Sequence, residues 1–140
     1  MMDSLASMTL PLEHRRPLRL VIVEDEAIIA LALQQALKSL GHHVCAVAAT
    51  APSAVTAAAE HRPDLILMDI KLQGEEDGIC AALAIWSRYR IRSLFMSAFD
   101  TASTHLRALA AQPVGFLAKP YRLDDLRRTL ETLTPQRIAC

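Results

Sequence analysis

Apolar residues fall in five short runs along this chain, separated by longer stretches of mixed character. The runs are Leu20-Val21-Ile22-Val23, Val44 to Ala48, Asp64-Leu65-Ile66-Leu67-Met68-Asp69, Ser93-Leu94-Phe95-Met96 and Val114-Gly115-Phe116-Leu117-Ala118. Each is continuous rather than alternating, and several are rich in β-branched residues. That pattern predicts strands buried on both faces. The stretches between them repeat apolar residues at helical spacing. Ile28, Leu31, Ala32, Leu37 and Leu40 predict a helix over 27–40, with Gly41 as its stop. Further helices are expected from Pro52 to about His61, over 79–88, over 101–111 and over 123–133. Pro52 suits a first helical turn, and Arg62-Pro63 closes that helix.

Strand and helix thus alternate through five repeats. Short links between parallel neighbours require crossovers, so the chain predicts an α/β fold with helices on both faces of a parallel sheet. At this length the expected solution is a flavodoxin-like, doubly wound (βα)5 sheet of order 2-1-3-4-5. The folded domain is placed at 18–134. Residues 1–17 form an N-terminal extension, loose or a short helix limited by Pro11 and Pro17, and 135–140 form a C-terminal tail.

Composition narrows the function. The 140 residues suit one domain; 52% are apolar but only 4% aromatic, so the core must be built from Ala, Leu, Ile and Val. Fifteen basic and fifteen acidic residues cancel, which gives no overall electrostatic footprint for nucleic acid or a membrane surface. No apolar run approaches the ~18 residues of a bilayer span. Cys45, Cys80 and Cys140 show no CxxC spacing and read as free thiols of a cytoplasmic protein.

The candidate chemistry lies at the carboxyl ends of the strands, where open parallel sheets bind ligands. Strand one ends in Glu24, Asp25 and Glu26, strand three in Asp69, strand four in Ser97 and strand five in Lys119. Several carboxylates gathered at one rim repel one another, and a hard divalent cation such as Mg2+ relieves that repulsion. A carboxylate beside a cation, an ammonium and a hydroxyl is equipped to accept a phosphoryl group, because that transfer needs chiefly positioning and charge neutralisation.

Val-Glu-Asp-Glu at 23–26, Leu-Met-Asp-Ile at 67–70, Met-Ser-Ala at 96–98 and Leu-Ala-Lys-Pro at 117–120 stand in order, each at a strand end. Over about residues 18–133 the chain resembles the response-regulator receiver domains of two-component signalling. The resemblance implies a stand-alone phosphoprotein that catalyses only its own phosphorylation and dephosphorylation. Asp69 would be the phospho-acceptor. Glu24 (through water), Asp25, Asp69 and the backbone carbonyl of Lys71 would hold Mg2+. Ser97 and Lys119 would hold the phosphoryl oxygens, and Lys119–Pro120 would be cis. Phe116 takes the place of the switching aromatic, and Lys71 and Phe99 the places that tune phosphoryl lifetime. The implied partners are a sensor histidine kinase or histidine phosphotransfer protein and a downstream protein. The face from helix 4 to helix 5 would carry partner binding or a homodimer.

Glu24 stands where aspartate is more common, and Phe116 lacks the tyrosine hydroxyl. The loop from Asp69 to Gly78 is long and acidic; Glu75, Glu76 and Asp77 read as solvated residues rather than extra ligands. Two other readings stay open: a receiver-like interaction module without phosphotransfer, and a phosphohydrolase. The second is disfavoured by Lys71, which stands where such enzymes carry a second acid. His42, His43, His61 and His105 read as surface residues, and Trp86 as a partly buried helix residue.

Overall fold

A computed structural model describes residues 17–98 and 101–139. The expectations for the N-terminal extension and for Phe99 lie outside the described residues, as does Cys140. The elements are β1 (Arg19–Val23), α1 (Ala27–Ser39), β2 (His43–Ala48), α2 (Ala51–His61), β3 (Leu65–Asp69), α3 (Gly78–Tyr89), β4 (Ser93–Ser97), α4 (Ala102–Leu109), β5 (Gly115–Ala118), α5 (Leu123–Glu131) and α6 (Pro135–Ala139). The strands form one sheet in the order β2-β1-β3-β4-β5, and every pairing is parallel.

The two-residue period of a strand deals the apolar runs to two cores. Val21, Val23, Ile66, Met68 and Phe95 point to the face covered by α2 and α3, with Ala108 of α4. That layer is largely alanine: Ala54 and Ala58 on α2 meet Ala81 and Ala82 on α3, and small side chains let the helices approach closely. Leu20, Ile22, Leu65, Leu67, Leu94 and Met96 point to the other face, against Leu33 and Leu37 of α1 and Leu126 and Leu130 of α5. β1, β3 and β4 are the inner strands, and β3 and β4 are buried along their whole length.

Local chemistry fixes the helix ends. Thr50 caps α2 by accepting from the Ser53 N–H, while Ser53 reciprocates to the Thr50 N–H at 3.0 Å. Asp77 caps α3 through the Cys80 N–H, and Thr101 caps α4 through the Thr104 N–H. Asp124 and Asp125 put negative charge in the first turn of α5.

Three expectations need correction. On α1 the buried residues are Ala30, Leu33 and Leu37, whereas Ile28 and Leu31 are 84% and 54% exposed. This helix is apolar on more than one face, so spacing alone did not select the buried one. Residues 135–139 form a helix rather than a tail, and Ile138 is buried against the α1 and α5 core. His42 is half-buried rather than a free surface residue, taking the Leu18 N–H on Nδ1 at 3.0 Å, and burial lowers its pKa.

Candidate functional site

Parallel register carries the polar groups to one rim. Val23 lies opposite Met68, Asp69 opposite Met96, and Ser97 opposite Ala118. The ladder continues one step past the strands: Glu24 N–H donates to Ala48 O at 2.9 Å, and Lys119 N–H to Ser97 O at 2.7 Å. Glu24, Asp69, Ser97 and Lys119 are thus positioned by backbone hydrogen bonds of the sheet, not by flexible loop.

Lys119 reaches across the rim. Its Nζ lies 3.2 Å from Glu24 Oε1 and 3.4 Å from Asp69 Oδ2. Glu24 is 2% exposed and Asp69 6%. Glu24, Asp25 and Asp69 each offer a carboxylate oxygen within 4.8 Å of the others. Glu24 Oε2 accepts from Glu26 N–H at 3.1 Å, Asp25 Oδ2 from Gln73 N–H at 3.0 Å and Asp69 Oδ1 from Lys71 N–H at 3.3 Å. Two of the three carboxylates, Glu24 and Asp69, share the one ammonium, and Asp25 is left with a backbone N–H.

The electrostatics follow from that imbalance. Burial and the neighbouring Glu24 charge raise the Asp69 pKa to about 6, although Lys119 and the Lys71 N–H pull it down. Burial acts to lower the Lys119 pKa, but the Asp69 and Glu24 carboxylates outweigh it and hold the ammonium above its ordinary value. Surplus buried negative charge, with only hard oxygen donors around it, fits a divalent cation of the magnesium type. Glu24, Asp25 and Asp69 are the side chains able to hold one, and the Lys71 backbone borders the same space.

The rim opens into a cleft of about 610 Å³ lined by Asp25, Asp69, Lys71, Ser97, Thr104 and Lys119 among others. Of the residues singled out in the sequence, Glu24, Asp25, Asp69, Lys71, Ser97 and Lys119 therefore meet at this rim, whereas Phe116 lies outside the cleft lining. Ser97 is 8% exposed and faces this cleft beside Asp69. Lys119–Pro120 is cis, as expected. Phe116 is half-buried rather than pointing freely to solvent, with its ring on Phe95 (centroids 5.6 Å apart) and on His105 of α4 (4.2 Å).

Several contributors escaped the sequence reading. Asp77 is not simply solvated: it caps α3 and accepts from Arg107 of α4 at 3.2 Å. The Cys80 N–H and Arg107 hold its carboxyl below the ordinary value against the opposing effect of burial. Gly78 is the only side chain that fits its position. A Cβ there would lie 2.0 Å from the Asp69 carbonyl oxygen, and Gly78 N–H donates to Ile70 O at 2.7 Å. An acid before an apolar helical pattern could have announced the Asp77 cap; nothing in the sequence announced Arg107 or His105.

A second groove of about 630 Å³ adjoins the cleft and shares Lys119 and Ala98 with it. It is apolar, lined by Ile28, Ile29 and Leu33 of α1 and by Pro120, Tyr121 and Leu123.

The family profile described as "Response regulator receiver domain" matches residues 20–131. The chain belongs to the response regulator receiver family. Transcriptional regulatory protein PdtaR of Mycobacterium tuberculosis is 35% identical over 115 residues, 82% of this chain and 56% of that protein. Chemotaxis protein CheY of Bacillus subtilis is 34% identical over 116 residues, covering 82% of this chain and 93% of CheY. Among solved structures, the signal receiver domain of a modulated diguanylate cyclase from Desulfovibrio desulfuricans G20 superposes with a TM-score of 0.79 at 33% identity. That match covers 86% of this chain and 96% of that one. This receiver domain thus spans just over half the length of PdtaR and nearly all of CheY. Among the described residues no helix is long and apolar enough to cross a membrane.

Proposed function

We propose that this receiver domain accepts a phosphoryl group on Asp69 from the phosphohistidine of a sensor histidine kinase or histidine phosphotransfer protein. The observation that carries the reading is the Asp69 carboxylate beside the Lys119 ammonium at 3.4 Å, within a cluster of two further carboxylates. An Asp69 oxygen attacks phosphorus in line with the phosphorus–nitrogen bond. That bond breaks, its electron pair returns to the imidazole, and an acyl phosphate forms. Lys119 neutralises charge on the equatorial oxygens, and the Ser97 hydroxyl donates to one of them. Mg2+, held by Asp25, Asp69, the Lys71 carbonyl and, through water, Glu24, would supply the remaining neutralisation when bound. Fixing by the sheet keeps these groups in place before the donor arrives, so little reorganisation is left to the reaction.

The apolar groove along α1 supports a protein donor. Ile28 and Leu123 are exposed in the groove adjoining the cleft, where a donor helix would have to seat to reach Asp69. The readout face follows from Phe116. Once the phosphoryl group engages Ser97, the space beside that residue changes, and Phe116 and its His105 partner repack together. Leu106 and Leu109 of α4 are exposed on this side and suit a downstream protein or a second copy.

Incubation with acetyl phosphate and Mg2+, followed by intact-mass spectrometry, tests the reading. One added phosphoryl group, absent from Asp69→Ala and absent with EDTA, is expected. An unmodified wild-type chain, tested also with beryllofluoride, would leave only an interaction module.

A further inference from the structure

Four arginines gather at the end of the sheet opposite Asp69, where the strands begin. Arg19 opens β1, Arg62 follows α2, Arg90 follows α3 and Arg92 precedes β4. They form one continuous surface. Arg19 donates to Arg62 O at 2.9 Å and to His61 O at 2.8 Å. The Arg62 guanidinium lies over Tyr89 at 4.5 Å, while Arg90 and Arg92 lie over Trp86 at 4.9 and 4.7 Å. Among the described residues, the ion pairs engage Arg107, Lys119, Arg127 and Arg128, and none of these four. Glu60 and Asp64 are carboxylates at this end; Asp64 accepts from the Arg19 backbone N–H at 2.8 Å, and among the described residues neither is in an ion pair with these arginines.

The backbone adds an independent observation. Among the described residues, the non-glycine positions with positive φ are Arg62 (45°), Arg90 (56°) and Gln112 (53°). All belong to this surface, since Gln112 O accepts from Arg92 at 3.1 Å. Glycine or asparagine would suit such helix-ending positions with less strain. Two exposed arginines held there against that preference, neither in an ion pair with the Glu60 and Asp64 carboxylates of this end, present their charge outward from the domain.

We propose that this surface docks an acidic, Asp/Glu-rich segment of a partner protein, independently of phosphorylation at the other end. Guanidinium groups set over aromatic rings are already partly ordered, and the terminal nitrogens of Arg62 and Arg90, which no carbonyl among the described residues engages, remain for carboxylate contacts. The same stacking argues against single-stranded nucleic acid, because the Tyr89 and Trp86 faces on which bases would stack already carry guanidiniums. A second copy of the chain is the less apt occupant. Its acids are concentrated at the phospho-acceptor rim, and such a contact would pair opposite ends into an open chain rather than a closed dimer.

Trp86 is the chain's single tryptophan, so its fluorescence reports on this surface directly. The full chain is titrated with a short polyglutamate peptide at low salt. Saturable quenching or a spectral shift is expected, weakening about ten-fold or more as ionic strength rises toward the physiological range. The double variant Arg62→Gly, Arg90→Gly should keep its fold, because glycine fits both backbone conformations, and should lose about ten-fold or more in affinity. Arg127→Ala, in the internally paired set on α5, should bind as wild type. A folded double variant, verified by circular dichroism, that binds the peptide undiminished would overturn the proposal. So would a single-stranded RNA oligonucleotide that binds more tightly than polyglutamate, or self-association in sedimentation that the double variant abolishes.

Discussion

Replacing Asp69 by Asn isolates the cost of holding a charged nucleophile in this site. The Asp69 carboxyl is raised from 3.8 to about 6 by burial and by Glu24. Asparagine approximates its protonated form: it keeps an acceptor for the Lys71 N–H and removes the charge facing Glu24. At about 1.4 kcal/mol per pH unit, ionising Asp69 in the folded protein costs about 3 kcal/mol more than in the unfolded chain. The sign is fixed by proton binding. Between about pH 4 and about pH 6 the folded state holds a proton that the unfolded state has released, so this group's contribution to stability falls as pH rises. Below that window both states are protonated, and above it both are ionised. Asp69→Asn should therefore match wild type near pH 4, gain through the window, and be more stable by about 2–3 kcal/mol from about pH 6 upward. Urea unfolding with EDTA present, at a series of pH values, gives the difference directly. A variant equal to or less stable than wild type at neutral pH, or a difference that does not change with pH, would refute the electrostatic account of the site.

Mg2+ at about one hundred times its Kd should stabilise the wild type by about 2.7 kcal/mol in thermal melts, and Asp25→Ala should lose most of that gain. Lys119→Met should reduce the acetyl phosphate reaction rate by about one hundred-fold, comparable to removing one preorganised donor at a charged transition state. The remaining Asp69 should titrate still higher in this variant, since Lys119 now opposes its upward displacement. Gly78→Ala should destabilise by about 3 kcal/mol in urea unfolding, because its Cβ would sit 2.0 Å from Asp69 O. A refolded fraction of that variant should also show slower phosphorylation, as the nucleophile's own backbone must move.

Much of the fold was legible because strand burial and strand order are collective properties. Continuous apolar runs at 20–23, 65–68 and 94–96 can only be inner strands, and the acids and lysine that end them arrive at one rim once the sheet is parallel. What stayed illegible were relations between surfaces of helices. Ile28 and Leu33 are both apolar, yet only Leu33 is buried, because packing against the strands rather than spacing decides rotation. The Asp77–Arg107 contact joins two helices 30 residues apart, and the His105–Phe116 stack joins α4 to β5. Neither has a local signature. Ile138 returns to the core that also holds Leu18, from a segment too short to show a period.

The helix contacts that the sequence hid are those that join the site to the rest of the domain. Asp77 stands at the start of α3, one residue before the glycine that packs on Asp69, and Arg107 ties that position to α4. His105 on the same helix lies on Phe116, whose strand ends at Ala118, one residue before Lys119. α4 is therefore held at two points, by the Arg107 ion pair to Asp77 near the acceptor and by the His105 stack on Phe116 of β5. Its only buried residue is Ala108, so little apolar burial opposes its displacement. On the proposed phosphorylation of Asp69, a helix held mainly by one ion pair and one stack is the element expected to move first, which a change in its amide-exchange protection on beryllofluoride treatment would report.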